Sequence, residues 1–195
     1  MTHLSDDHGR ALVRFARAAI GEALGGPAAV PPDGPWSREP GASFVTLRRH
    51  GELHGCIGSV EARRRLVDDV AQNAVAAALR DPRGRPIGLR DVADLTVELS
   101  LLSPLERIPF TDEASAERAL VPDVDGVVLR WHGRQGTFLP QVWADLSDPH
   151  EFMAHLKHKA GLPADFWAPG VELYRYRVDK WIDPARSRRR EEEPS

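Results

Sequence analysis

The stretch Glu52-Leu53-His54-Gly55-Cys56-Ile57-Gly58 holds the only cysteine of the chain, and its alternation decides how the first half is read. Leu53, Gly55 and Ile57 fall on one side of a strand, and Glu52, His54 and Cys56 on the other. Gly55 and Gly58 flank the thiol, so neighbouring backbone or a ligand can come close to it. Upstream, Phe44-Val45-Thr46-Leu47 alternates in the same way, with His50-Gly51 between the two runs. Two strands joined by a tight turn are expected, although His-Gly is a weaker turn pair than Asn-Gly.

Working outward, Leu66, Val70, Ala74, Ala77 and Ala78 recur at helical spacing, and Asp81-Pro82-Arg83-Gly84 stops that helix. Leu95 to Leu102 alternates again, with Val97, Leu99 and Leu101 on one face and Thr96, Glu98 and Ser100 on the other. Before the hairpin, Ser5 is placed to cap a helix with Asp6 and Asp7 in its first turn. Leu12, Phe15, Ala16, Ala19 and Ala23 mark its apolar side and Gly25-Gly26 its end. Residues 27–41 are proline-rich without periodicity and read as a loop.

The second half follows the same plan. Val127-Val128-Leu129-Arg130-Trp131-His132-Gly133 parallels Val45-Thr46-Leu47-Arg48-Arg49-His50-Gly51. Each copy then runs turn, strand, helix, strand. In the second copy the helix opens at Asp148-Pro149-His150-Glu151, with Asp as cap, Pro in the first turn and Glu at the third position. Gly161 ends it, and residues 172–177 form the closing strand. The expected fold class is therefore α+β: duplicated β-β-α-β units with mainly antiparallel sheets, an extra N-terminal helix and a cleft between the halves. Repeat one spans about 43–102 and repeat two about 125–178 of a single domain, 1–185. The charged tail 186–195 is expected to be disordered.

The totals narrow the function. The chain has 195 residues, 42% of them apolar, and a net charge of −3, which argues against a dedicated nucleic-acid binder. A lone cysteine forms no internal disulfide. The N-terminus lacks the pattern of a signal peptide, and no run is long and apolar enough to span a membrane, so a cytoplasmic protein is expected. A Gly-x-Ser-x-Gly elbow, a phosphate loop, a Gly-x-Gly-x-x-Gly run and paired zinc cysteines are all absent from the sequence.

Several constellations remain, each with a bland alternative. Cys56 is a reactive or ligand-touching thiol only if an imidazole, a cation or a helix end activates it. His54 shares its strand face in this reading, but the two Cα atoms would lie about 6.5–7 Å apart. With the His-Gly turns aligned, Cys56 matches Phe138 and Ile57 matches Leu139, which favours a packed, inert thiol. Glu98 and Ser100 form either a polar floor beside the thiol or a wetted sheet face.

His150, Glu151, His155 and His158 lack metal-ligand spacing and read as a solvated helix face, so no metal or cofactor is expected. In Gly136-Thr137-Phe138-Leu139-Pro140-Gln141-Val142-Trp143 the proline ends strand pairing. Gln141 is then free for a ligand, or the loop is simply pinned by Phe138 and Trp143. Arg63-Arg64-Arg65 reads as a solvated turn, or as an anion site at the following helix.

Leu53-His54-Gly55-Cys56-Ile57-Gly58 resembles the Leu-Arg-Gly-Cys-Ile-Gly signature of the AMMECR domain family, whose prokaryotic members are called AmmeMemoRadiSam system protein A. Asp81-Pro82-Arg83, Glu98-Leu99-Ser100-Leu101-Leu102, Asp125-Gly126-Val127, Leu139-Pro140-Gln141-Val142 and Lys159-Ala160-Gly161-Leu162 follow in the family's order, over roughly residues 8 to 183. Two positions depart: His54 replaces the signature arginine, and Gly84 stands where phenylalanine commonly follows the Asp-Pro-Arg turn. The resemblance implies an α+β domain built by duplication, with end strands exchanged between halves, and a link to Memo-like and radical-SAM proteins.

Two functions follow as expectations. One is an enzyme or small-molecule-binding component with Cys56 as its thiol and Glu98 or His54 handling the proton. Gly55, Gly58, Ser100, Gln141, Arg83 and Lys159 would contact the ligand. The other is a non-catalytic module that docks a Memo-like or radical-SAM partner through the proline-rich loop or the tryptophan-bearing segments. A second copy of the chain is a further candidate partner.

Overall fold

Ser5 caps the first helix, its hydroxyl accepting the His8 amide at 3.3 Å, and α1 (Asp6–Ala23) follows with Leu12, Phe15, Ala16 and Ala19 buried. Ala23, expected on that stripe, is exposed, because the helix has run past the core by its last residue. Gly25 ends the helix in the left-handed conformation that a Cβ disfavours. The structure is a computed structural model that describes residues 4–186. Residues 187–195 of the expected tail lie outside them. Two compact units result: residues 4–102 with 179–186, and residues 103–178.

In the first unit the proline-rich loop is less irregular than its composition implied. Pro35 opens the short helix α2 (Pro35–Arg38), and β1 (Pro40–Gly41) pairs with β4 (Arg64–Arg65). The hairpin is β2 (Ser43–Arg49) and β3 (Glu52–Gly58). His50 and Gly51 both take positive φ, 53° and 90°, so the two-residue turn has the twist of its strands. Next come α3 (Leu66–Leu79), a 3₁₀ turn at Leu89–Asp94 and β5 (Leu95–Leu102). The sheet is completed by β10 (Val178–Asp183), giving the order β10-β5-β2-β3.

The first core forms where Val45, Leu47, Val97 and Leu99 meet the buried stripes of α1 and α3. Each such side chain contributes about 1.5–3 kcal/mol by leaving water. Asp69 of α3, fully buried, ties the sheet to the helix by accepting the Ser43 amide and hydroxyl, Asn73 Nδ2 and the Ser59 hydroxyl. Arg17 of α1, also buried, holds Asp183 at 2.5 Å and donates to the Val92 carbonyl. This pins β10 to the first unit.

The second unit contains β6 (Glu106–Arg107), α4 (Glu113–Arg118), β7 (Gly126–Trp131), β8 (Arg134–Phe138), α5 (Pro149–Lys159) and β9 (Glu172–Tyr176). Its sheet order is β6-β9-β7-β8. His132 and Gly133 again take positive φ, 42° and 80°. Asp148 caps α5 by accepting the His150 and Glu151 amides, with Pro149 in the first turn. A 3₁₀ turn, Pro140–Ala144, carries the buried Trp143, whose indole N–H donates to the Asp125 carbonyl. Among the described residues no helix is long and apolar enough to cross a membrane.

Candidate functional site

The thiol sits on an edge strand, and the edge is covered. β3 is the last strand of its sheet, so one side of its backbone has no neighbouring strand. The turn after α3 fills that place. Asp81 Oδ2 accepts the Cys56 N–H at 2.9 Å, and Arg83 Nη2 donates to the Cys56 carbonyl at 3.3 Å. Arg83 and Asp81 are themselves joined by two bonds, Nε to Oδ1 at 2.9 Å and Nη2 to Oδ2 at 2.6 Å.

The Asp81 side chain is 1% exposed and its partner's 54%. The hydrogen bonds from Arg83 hold the Asp81 carboxyl far below the usual carboxylate range; burial opposes them, and the Cys56 and Arg83 amides add to them. Arg83 is raised in turn, first by Asp81 and least by the sulfur of Cys56.

Because its amide and carbonyl point outward, Cys56 faces Thr46 of β2 as a non-hydrogen-bonded pair, the geometry that brings opposite side chains closest. The Thr46 hydroxyl donates to Cys56 Sγ at 3.2 Å. Cys56 as a residue is half-buried.

His54 does not share that face. The pairing of β2 with β3 slips between Leu47 and Arg48, so that Leu47 faces Gly55 while Arg48 faces Leu53. His54 is the extra residue of a β-bulge. Its side chain is buried toward α3, where Nε2 donates to the Ala78 carbonyl at 3.1 Å. The sequence pattern alone gave uninterrupted alternation, and the bulge is what overturns it. Arginine is the signature residue at this position; here the imidazole ends on a helix carbonyl.

The bulge also corrects the comparison of the two hairpins. β8 pairs with β7 without interruption, so the residue opposite Val128 is Thr137, as Cys56 is opposite Thr46. The counterpart of Cys56 is therefore Thr137, not Phe138, and that position is polar in both copies. Gly55 and Gly136 then correspond. A Cβ on Gly55 would lie 2.1 Å from the Ala77 carbonyl oxygen, and one on Gly136 2.8 Å from that of Leu156. Gly55 thus admits α3, not a ligand, and the Phe44 ring fills the place of a Gly58 side chain.

Glu98 of β5 faces Thr46, which puts two strand spacings, about 10 Å, between its Cα and that of Cys56. Its carboxylate is held by Arg48 at 3.2 Å and by Lys180 of β10 at 2.5 Å. Ser100, buried, faces Phe44. Gln141 and Lys159 belong to the second unit. Both are exposed, and Lys159 Nζ stands 4.8 Å from the centre of the Phe138 ring. The arginine triplet is matched by acids: Arg63 with Glu61, Arg64 with Asp69, Arg65 with Asp68.

In the second unit His150 meets Glu117 of α4 at 2.8 Å, not the histidines of its own helix. Glu117 raises the His150 pKa, by hydrogen bond first and charge second. Glu113, Glu117 and His150 bring three ligand-type atoms within 4.8 Å of one another, a grouping that crosses two helices and so leaves no spacing signal in the sequence. Lys157, fully buried, is paired with Glu113 there.

Residues 13–181 match the AMMECR1 family model. A protein of Methanothermobacter thermautotrophicus is 37% identical over 180 residues, covering 90% of this chain and 94% of its own. One of Aeropyrum pernix is 38% identical over 188 residues, covering 91% and 80%. The crystal structure of an uncharacterized Pyrococcus horikoshii protein superposes with a TM-score of 0.84 at 31% identity, covering 94% of this chain and 95% of that one.

Proposed function

The chain belongs to the AMMECR1 family, and from that membership we propose that it is a small-molecule-binding component of a Memo- and radical-SAM-linked system, with Cys56 as the group that touches the bound molecule. One observation carries this: in the half-buried Cys56 the sulfur receives the Thr46 hydroxyl, and a guanidinium is bound to the same residue's carbonyl. Hydrogen-bond donors and cations are the groups found beside reactive sulfurs, and a merely packed cysteine needs neither.

Glu98, already shared by two cations, and His54, already bonded to α3, serve as positioning groups in this reading. We also take the two hairpins as products of one duplicated β-β-α-β unit. The shared His-Gly turn and the glycine against the helix in each support that view.

The test is alkylation of Cys56 by iodoacetamide at neutral pH, in the folded chain and in urea. A folded rate equal to or above the unfolded rate supports the thiol reading. Inertness until unfolding sinks it and leaves the second reading, a module that docks a Memo-like or radical-SAM partner. That reading is favoured by Val30, which is 83% exposed in the proline-rich loop. A Cys56→Ser chain that still captures such a partner, from a protein whose folded thiol is inert, would establish it.

A further inference from the structure

We propose that the cavity beside the β2–β3 turn binds a small phosphomonoester through its phosphate group. The cavity measures about 590 Å3, within the range of small-molecule sites. The hairpin end contributes Arg49, His50 and Glu52, and the loop after α3 contributes Arg83 and Arg85. Leu53 and His54 complete the wall. Three arginines and one glutamate therefore line the cavity, with Asp91 and Asp94 behind Arg49 and Asp81 behind Arg83.

Two of the three arginines are held in place without being used up. Arg49 Nη2 is fixed by Asp91 at 2.6 Å, with Asp94 at 3.7 Å, and its Nε is buried out of reach of the cavity, so Nη1 is the donor left to a ligand. Arg83 is fixed by Asp81 through Nε and Nη2 and by the Cys56 carbonyl through Nη2, which leaves Nη1 to a ligand. Arg85 makes no hydrogen bond or ion pair among the described residues. Held guanidinium groups lose little freedom on binding, which is how a site is made ready for an anion. The number of forks selects the ligand. A carboxylate has two oxygens and satisfies one fork, whereas a phosphomonoester presents three and can accept from several arginines at once. Leu53, 38% exposed, offers the remainder of the ligand an apolar contact.

The proposal is independent of the thiol, and its test does not read the sulfur. The full chain is titrated with inorganic phosphate, glycerol phosphate and succinate by calorimetry. Saturable binding of both phosphates is expected, with succinate weaker by about tenfold or more. Arg85→Ala should weaken phosphate about tenfold, the worth of one charge-assisted hydrogen bond. Because Arg85 is exposed and makes no hydrogen bond or ion pair among the described residues, that variant should keep its fold, and an unchanged unfolding midpoint verifies this. Arg10→Ala, at a different cavity, serves as the control and should bind as the unmodified chain does. No saturable phosphate binding up to about 10 mM, phosphate binding unchanged in Arg85→Ala, or succinate binding as tightly as phosphate each overturns the proposal.

Discussion

Asp81 closes the free edge of the sheet at Cys56: its Oδ2 accepts the Cys56 amide at 2.9 Å from a side chain almost wholly out of water. An uncovered edge strand invites pairing with another chain. Here an aspartate and the arginine two residues later take the place of that neighbour. The same pair fixes the backbone that presents the thiol, so edge protection and site geometry share one set of bonds.

Asp81→Asn should therefore cost about 2 kcal/mol at pH 7, the worth of charge-assisted hydrogen bonds in a buried setting. The carboxyl is depressed in the folded chain, so its contribution is complete above the unfolded value of about 4 and is lost as pH falls toward the lower folded value. Urea unfolding of both proteins from pH 7 downward should show a gap that is constant to about pH 5 and narrows below it. A gap that stays constant into strong acid would mean the charge contributes nothing.

Gly55 makes the second prediction. Its Cβ would press on the Ala77 carbonyl oxygen at 2.1 Å, a contact that only movement of helix or strand can relieve, whereas the Gly136 contact at 2.8 Å asks less. Gly55→Ala should destabilise by about 3 kcal/mol and Gly136→Ala by about 1 kcal/mol. Denaturant midpoints decide the order, and equal losses would contradict this account of the two helix approaches.

These glycines also mark how far the sequence could be read. Hydrophobic period and turn chemistry place both hairpins, the helices at Leu66 and Pro149 and the strand at Leu95, because each choice is local. The bulge at His54 has no local signal. Its cause is the closeness of α3, to which Ala77 and Ala78 belong, and one inserted residue turns every later side chain of the strand to the other face. The same limit hid β10 and the His150–Glu117 pair, since their partners lie far away along the chain.

His150 titrates against Glu117. The imidazole is largely exposed and its pKa is raised, so its charged form is favoured in the folded chain. The stabilisation is present below the unfolded value near 6.5 and is lost as pH rises through the higher folded value. In Glu117→Gln the His150 midpoint, followed by NMR of the ring protons, should drop toward the ordinary value. An unmoved midpoint would assign the shift to something other than this carboxylate.

Glu98 separates a proton-transferring role from a positioning one. Its carboxylate lies between Arg48 and Lys180 and two strands from the sulfur. Glu98→Gln should lower stability by about 0.5–1 kcal/mol, the worth of partly exposed ion pairs. The alkylation rate of Cys56 should stay as it was. A rate that collapses with little change in stability would return Glu98 to the chemistry.

Thr46 is where the thiol reading is most exposed to test. Its hydroxyl is the side-chain donor that reaches Sγ, at 3.2 Å, and the non-hydrogen-bonded pairing of Thr46 with Cys56 is what brings the two atoms together. Thr46→Val keeps the β-branched shape on a central strand, so the fold should survive, and it removes only the donor. A neutral hydrogen bond of about 1 kcal/mol corresponds to about a fivefold change in rate, so iodoacetamide should react about fivefold more slowly with the variant. Thr46→Ser restores a donor and should recover most of that loss. If valine leaves the rate unchanged while both variants unfold at the midpoint of the unmodified chain, the hydroxyl does not prepare the sulfur. Cys56 is then held by Asp81 and Arg83 for the sake of the strand alone.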